Sequence, residues 1–389
     1  MTDKKIKSIW KEKVCTMASK FPLASKMAAR WRKERIPCSG TFELTPRCNL
    51  DCKMCYIHLT RDQMGDRREL SVEEWIRIAD EAIEAGMYRA LITGGECLLY
   101  PGFWELYTHL RGKGIMVPIN SNGVLMTEEV AERFRELPPN QINISLYGLS
   151  EETYERCTGH RVYGRVLENI IRLRDMGMPL CLSATGSRYN RDEVWEIVQK
   201  AKELQVSSVM DVNLTPARKD TGRSLGDYGL SPEEQLQVYR KFRRNGPRPI
   251  IPPEKPLLDY PRSLPGDPDY RGVLCGAGKI AFNVTWDGRF GCCFDLMPDP
   301  PIYVREHSFA ECWEAAKAWV DTRYLAPVEC RDCPLREICE TCVVRRADPK
   351  NPGHCNPNVC RVTFMQYNEG LARRKEDLLP RDEEQEPYC

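Results

Sequence analysis

Three cysteines, Cys48, Cys52 and Cys55, share the short stretch TPRCNLDCKMCYIH. Thiolates are soft ligands, and three on one loop can hold three corners of a cubic iron–sulfur cluster while one iron stays open to a substrate or cofactor. The competing readings are a zinc site or a set of buried free thiols. Structural zinc takes four protein ligands, and no fourth Cys or His stands at a usual spacing, although His58 follows three residues after Cys55.

The chain carries 19 cysteines, an odd number that cannot close into a disulfide framework. Ten lie between Cys275 and Cys360, whereas the long middle has only Cys97, Cys157 and Cys181. In a reducing cytosol such clusters read as metal sites. The densest is CRDCPLREICETC, with Cys330, Cys333, Cys339 and Cys342; Cys275, Cys292, Cys293 and Cys312 precede it, and Cys355 and Cys360 follow. Paired C-x-x-C units also suit a zinc ribbon.

These residues need a scaffold, and the apolar patterning predicts one. Short β-type runs at 41–45 (TFELT), 90–93, 117–120, 142–146, 180–185 and 209–214 alternate with helical stretches near 71–86, 127–136, 163–176 and 191–204. Ser71 and Glu74 form a capping box at the start of the first helix, and Gly86 stops it. Alternating strands and helices predict an α/β fold, a partial (β/α)6 TIM-like barrel over 37–244, with chemistry at the C-terminal ends of its strands. Residues 1–36 are basic and carry apolar side chains at roughly helical spacing, which suits a helix packed on the barrel or a docking surface. Eight prolines at 245–268 exclude regular structure and mark 245–274 as a connection. Residues 275–375 read as a small cysteine-rich domain with a β-hairpin turning at Asp287-Gly288, organised by metal, and 376–389 as an acidic tail.

Two more motifs stand at predicted strand ends: Thr93-Gly94-Gly95-Glu96, and Asn120-Ser121-Asn122-Gly123 followed by Ser145 in ISLYG. Either alone reads as a strand-to-helix turn. In this order after the three cysteines they resemble the radical S-adenosylmethionine (SAM) superfamily. The resemblance implies a [4Fe–4S] cluster on Cys48, Cys52 and Cys55 whose open iron binds the amino and carboxylate groups of SAM. It implies Gly94, Gly95 and Glu96 as contacts of the methionine amine, and Asn122 and Ser145 as ribose contacts. Met54 stands where the family usually has an aromatic residue beside the adenine. The implied reaction passes one electron to SAM from a reducing partner such as flavodoxin or ferredoxin, and the resulting 5′-deoxyadenosyl radical takes hydrogen from an unactivated C–H bond. Cys97 replaces a common Pro; it is a candidate hydrogen donor or a small apolar filler.

The C-terminal cysteines are similar to the SPASM extension of peptide- and protein-modifying members. That implies one auxiliary cluster on Cys275, Cys293 and Cys342, which either keeps an open iron or is completed by Cys292 or Cys312. A second falls on Cys330, Cys333, Cys339 and a downstream cysteine, with Cys360 favoured over Cys355 by the family's usual gap. Two departures stand out: only Glu340 and Thr341 separate Cys339 from Cys342, and Phe294 occupies the place of the base proposed in sulfatase-maturing members, with Asp295 one residue later.

A formal net charge of +1 at pH 7 gives no reason to expect nucleic acid, and no apolar run is long enough to cross a bilayer, so a cytoplasmic protein is expected. Together the resemblances imply an enzyme that acts on a ribosomally made precursor peptide, abstracting hydrogen to form a thioether or carbon–carbon cross-link. The alternatives are a peptide epimerase, a maturase of a protein or cofactor precursor (sulfatase maturation included), and a non-catalytic iron–sulfur electron carrier.

Overall fold

The computed structural model describes residues 22–245, 275–323, 327–330, 333–335, 338–339, 342–348, 351 and 353–372. The connection beyond Asn245, the acidic tail and residues 1–21 of the basic segment lie outside them. Six parallel strands form in the expected order: β1 (Ser39–Glu43), β2 (Arg89–Thr93), β3 (Pro118–Ser121), β4 (Gln141–Ser145), β5 (Leu180–Thr185) and β6 (Ser207–Asp211). The first and last begin earlier than their apolar runs, because polar residues extend the ladder: Ser39 pairs with Arg89, and Ser207 donates its hydroxyl to the Leu180 carbonyl at 2.7 Å. Helices Phe103–Gly112 and Glu151–Thr158 add to the four that the sequence punctuation predicts.

The hairpin around Asp287-Gly288 extends the barrel's own sheet. β7 (Ala281–Val284) lies parallel to β1, and β8 (Arg289–Gly291) and β9 (Ile302–Tyr303) follow antiparallel, giving the order β6-β5-β4-β3-β2-β1-β7-β8-β9. Phe282 and Phe290 stack at 5.7 Å, and Phe309, on helix Phe309–Arg323, packs edge-on against both. Among the described residues, no helix is long and apolar enough to cross a membrane.

The register separates two chemistries onto two faces, as the period of two in a strand requires. Phe42, Ile92, Ile119 and Ile142 align across four strands, and Ile144 aligns with Leu182; all are fully buried. Each such side chain stabilises the fold by about 1.5–3 kcal/mol. The alternate positions are polar: Asn120 lies beside Asn143, Ser145 beside Ser183, and Thr185 beside Asp211.

Helix Val72–Glu84 starts on the predicted capping box, with the Glu74 N–H donating to Ser71 Oγ and the Ser71 N–H to Glu74 Oε2. The same carboxylate receives Arg68 at 2.8 and 2.9 Å and Arg305, just past β9, at 2.9 Å. Burial acts to raise its pKa, but the Arg68, Arg305 and Ser71 donors hold it down to about 2. Glu74→Gln is therefore expected to cost about 1 kcal/mol at neutral pH after solvent screening. A depressed carboxylate stabilises the fold above its unfolded pKa, near 4.3, and loses that contribution as pH falls toward 2. Urea midpoints of the two proteins should converge across that window; an undiminished gap at its acid end would refute the assignment.

Candidate functional site

Backbone contacts fix the cysteine loop. Asp51 and Lys53 donate their N–H groups to the carbonyls of Thr158 and Cys157, each at 2.9 Å, at the end of helix Glu151–Thr158. From the other side, Arg223 reaches the Asp51 carboxylate at 2.6 Å and the His58 carbonyl at 3.0 Å, and the Arg218 N–H donates to the Tyr56 carbonyl at 3.2 Å. His58 turns its Nδ1 toward Asp51, 3.6 Å away, and does not line the cavity beside the three thiols.

Each thiol has a donor aimed at it. Cys48 Sγ accepts from the Leu50 N–H at 3.4 Å and from Asn122 Nδ2 at 3.5 Å; Cys55 Sγ accepts from the His58 N–H at 3.2 Å; the Tyr147 hydroxyl donates to Cys52. Burial pushes the Cys48 thiol up to about 12 and raises Cys52 and Cys55 as well. A cationic group would displace these protons, and the N–H and O–H donors would then stabilise the resulting thiolates. Among the described residues, no three Cys, His, Asp or Glu side chains converge closely enough to share one ion. Three thiols around a space, each met by a donor, suit a multi-iron cluster better than a single zinc ion.

Cys48, Cys52, Cys55, Met54, Gly94, Gly95, Asn122 and Ser145 all line one cavity of about 280 Å³ at the C-terminal ends of the strands. The two glycines are required by close approach: a Cβ on Gly94 would stand 2.7 Å from the Thr45 carbonyl oxygen, and one on Gly95 only 2.3 Å from that of Arg47. Gly95 and Glu96 donate their N–H groups to those same carbonyls, so this turn is bound to the cysteine loop directly.

Glu96 and Cys97 are placed differently from the other expected contacts. Neither lines the cavity, and both are fully buried. The Glu96 carboxylate accepts from the Asn122 N–H at 2.8 Å, from Ser121 Oγ at 3.0 Å and from the Leu98 N–H at 3.3 Å, which ties the β2 turn to the β3 turn. Its burial raises its pKa, while these donors act to lower it. The Cys97 thiol points at the Asn120 carbonyl, 3.3 Å away.

The cavity has walls that the cysteine and glycine motifs do not announce. Tyr147, Ser183, Thr185 and Asp211 line it from the barrel, and Phe294 and Arg345 from the C-terminal segment. Phe294 packs on Tyr56 at 5.1 Å, and Arg345 donates to Asp211 at 2.8 Å. Alternation along LCLSAT and VMDVNL was the available signal for Ser183, Thr185 and Asp211. Asp295 bonds Thr215; burial lifts its carboxyl to about 6 against the pull of Arg345 and Arg218.

The remaining cysteines fall into groups. Burial raises the Cys293 and Cys292 thiols, with nearby Cys342 adding to the first and nearby Cys275 to the second. Cys292 is fully buried with its thiol toward the Ala316 carbonyl at 3.5 Å, and Cys312 turns toward the Tyr303 carbonyl. Cys330, Cys333, Cys339, Cys355 and Cys360 surround a second cavity.

Comparison with known proteins places this arrangement. The model of the radical SAM superfamily matches residues 42–201. A probable GTP 3′,8-cyclase of Saccharolobus solfataricus is 30% identical over 262 residues, 64% of this chain and 80% of that protein. The AdoMet-dependent heme synthase of Methanosarcina barkeri is 25% identical over 321 residues (78% and 90%), and the PqqA peptide cyclase of Granulibacter bethesdensis is 26% identical over 305 (76% and 79%). Among solved structures, Streptococcus suis SuiB bound to S-adenosylmethionine superposes with a TM-score of 0.63 at 17% identity, covering 87% of this chain and 81% of its own. The same protein bound to precursor peptide SuiA gives 0.60 at 18% identity, covering 87% and 79%. With the cysteine loop, the glycine turn and the strand-end polar residues around one cavity, the chain belongs to the radical SAM superfamily.

Proposed function

We propose that this protein abstracts hydrogen from a ribosomally made peptide and joins two of its atoms in an oxidative cross-link, a thioether or a carbon–carbon bond. Cys48, Cys52 and Cys55 would hold the [4Fe–4S] cluster. When bound and reduced, that cluster supplies the electron that cleaves SAM and so generates the hydrogen-abstracting 5′-deoxyadenosyl group. Gly94 and Gly95 offer backbone to the amino-acid end of SAM, Asn122 and Ser145 face its ribose, and Met54 packs by the base. Glu96 acts one step removed, by holding the Asn122 turn. Buried Met54 and Ile57 and half-buried Leu214 and Phe294 keep water from a reactive centre.

The observation that carries the peptide reading is the wall shared by the cavity and the C-terminal cysteines. Phe294 directly follows Cys293, and Arg345 lies three residues past Cys342. An auxiliary cluster on those cysteines would stand next to the substrate, where it can take the second electron as the bond closes. SuiB, solved with its precursor peptide, and the PqqA peptide cyclase support this reading.

The heme synthase and GTP cyclase similarities favour a second reading, a small cofactor precursor as substrate. A triphosphate calls for several uncommitted cations. Among the described residues Arg345 is the one cation lining the cavity, and it is paired with Asp211. The test is to incubate the anaerobically reconstituted, reduced enzyme with SAM and a short candidate precursor peptide. Formation of 5′-deoxyadenosine with loss of two hydrogens from the peptide is expected. An unchanged mass with deuterium uptake would indicate epimerisation, 5′-deoxyadenosine without any peptide change would favour the small-molecule reading, and its absence would exclude radical SAM chemistry.

A further inference from the structure

The second cysteine cavity holds one thiol too many. A four-iron cluster takes four thiolates, yet Cys330, Cys333, Cys339, Cys355 and Cys360 all line this space, closed on its apolar side by Leu335 and Phe364. Cys330, Cys333 and Cys339 come from one stretch of chain, and Thr363 donates its hydroxyl to Cys339 Sγ at 3.5 Å. The family's spacing chooses between Cys355 and Cys360 by distance along the chain. In space both line the one cavity that Cys330, Cys333 and Cys339 also line.

The two residues lie on different elements that meet at Asn356, which follows Cys355 and accepts the Cys360 N–H at 3.0 Å. Cys355 pairs with Ala347 in an isolated β-bridge and donates its N–H to Glu329 Oε2 at 2.9 Å, while Glu329 Oε1 is held by His354 at 2.5 Å. Cys360 sits on helix Pro357–Asn368, which Asn356 caps, and packs with Leu335, Phe364 and Tyr367. Both thiols already line the cavity, Cys355 from the bridge to Ala347 and Cys360 from the helix.

We propose that Cys355 and Cys360 are interchangeable as the fourth ligand of this auxiliary cluster, each replacing the other when one is lost. The thiol not bound to iron then remains as a hydrogen-bond donor to a ligand sulfur, a contact of the kind that tunes cluster potential. The inference rests on the auxiliary-cluster reading, and its test counts iron, so it stands apart from any result on peptide turnover.

The full-length chain, purified anaerobically, would be assayed for iron and acid-labile sulfide as parent, C355A, C360A, C355A/C360A and C333A, with circular dichroism to verify folding. Both single variants at Cys355 and Cys360 should keep the parental iron, whereas the double variant and C333A should lose about four irons per chain. Loss of about four irons from either single variant alone would overturn the proposal by identifying one fixed ligand. Parental iron in the folded double variant would overturn it by excluding both. Should the double variant fail to fold, the two single variants and C333A decide the question. Loss of iron from C333A but from neither single variant supports interchange, and C333A at the parental level overturns the proposal, since either the spare thiol covers another corner or no cluster sits in this cavity.

Discussion

Alanine at Cys48, Cys52 or Cys55 is expected to lower SAM-dependent 5′-deoxyadenosine formation by at least about 1,000-fold and to remove about four irons per chain. Each thiol is met by its own donor, from Leu50 and Asn122, Tyr147 or His58, so the site has no spare ligand to substitute for a lost one. Retention of the C-terminal iron in the same variants would distinguish a local loss from general unfolding. The pH dependence of loading has a definite sign. Burial holds the Cys48 thiol near 12 and raises its two neighbours, so the metal-free site is protonated at neutral pH and each bound iron must displace protons. Reconstitution should therefore quicken as pH rises from about 7 to about 9. Cys97→Ala is the contrasting case: its thiol lies outside the cavity against the Asn120 carbonyl, and the variant should keep cleavage within about threefold while losing some stability. Activity in any of the three triad variants comparable to the parent, measured by chromatography of the nucleoside product, would place the reaction elsewhere.

The barrel was legible because its information is local. Alternating apolar residues mark the six strands, Ser71 and Glu74 mark a helix start, and Asp287-Gly288 marks a turn, each within a window of a few residues. The parallel pairing of β7 with β1 was not legible, since Ser39 and Ala281 lie far apart in the chain and nothing in either segment names its partner. The cysteine and glycine motifs identified the site, but not which of their atoms face it. Gly94 and Gly95 read equally well as room for a ligand or room for a neighbouring backbone, and the carbonyls of Thr45 and Arg47 occupy that room. Glu96 and Cys97 adjoin those glycines in sequence yet turn behind the cavity wall, because a tight turn sends successive side chains in different directions. Arg345 carried no motif of its own, and Phe294 was marked only by its place after Cys293; they reach the cavity because the segments bearing Cys342 and Cys293 close over the barrel mouth.

Arg218→Met should destabilise the fold by about 3–5 kcal/mol, because it would leave Glu43 buried without its counter-charge. Glu43 ends β1 with no exposed side-chain surface, and Arg218 meets both its oxygens, at 2.6 and 2.7 Å. Exposed pairs elsewhere, such as Arg161 with Glu152, have side chains 50% and 70% accessible and should contribute little, since solvent screens them. Removing both charges in Glu43→Leu/Arg218→Met should recover most of the loss, since desolvation offsets much of the pair's attraction. The pair also bears on function. The Arg218 guanidinium lies 5.7 Å from the centre of the Tyr56 ring, its backbone N–H holds the Tyr56 carbonyl, and Tyr56 follows Cys55 and packs on Phe294. The single variant should therefore lose iron from the triad more readily on dilution than the double variant does. Urea unfolding of the iron-free proteins as a double-mutant cycle, with iron retention measured in parallel, separates the two effects. A single-variant loss no larger than that of Arg161→Met would refute the pair's role in the fold and in fixing the cysteine loop.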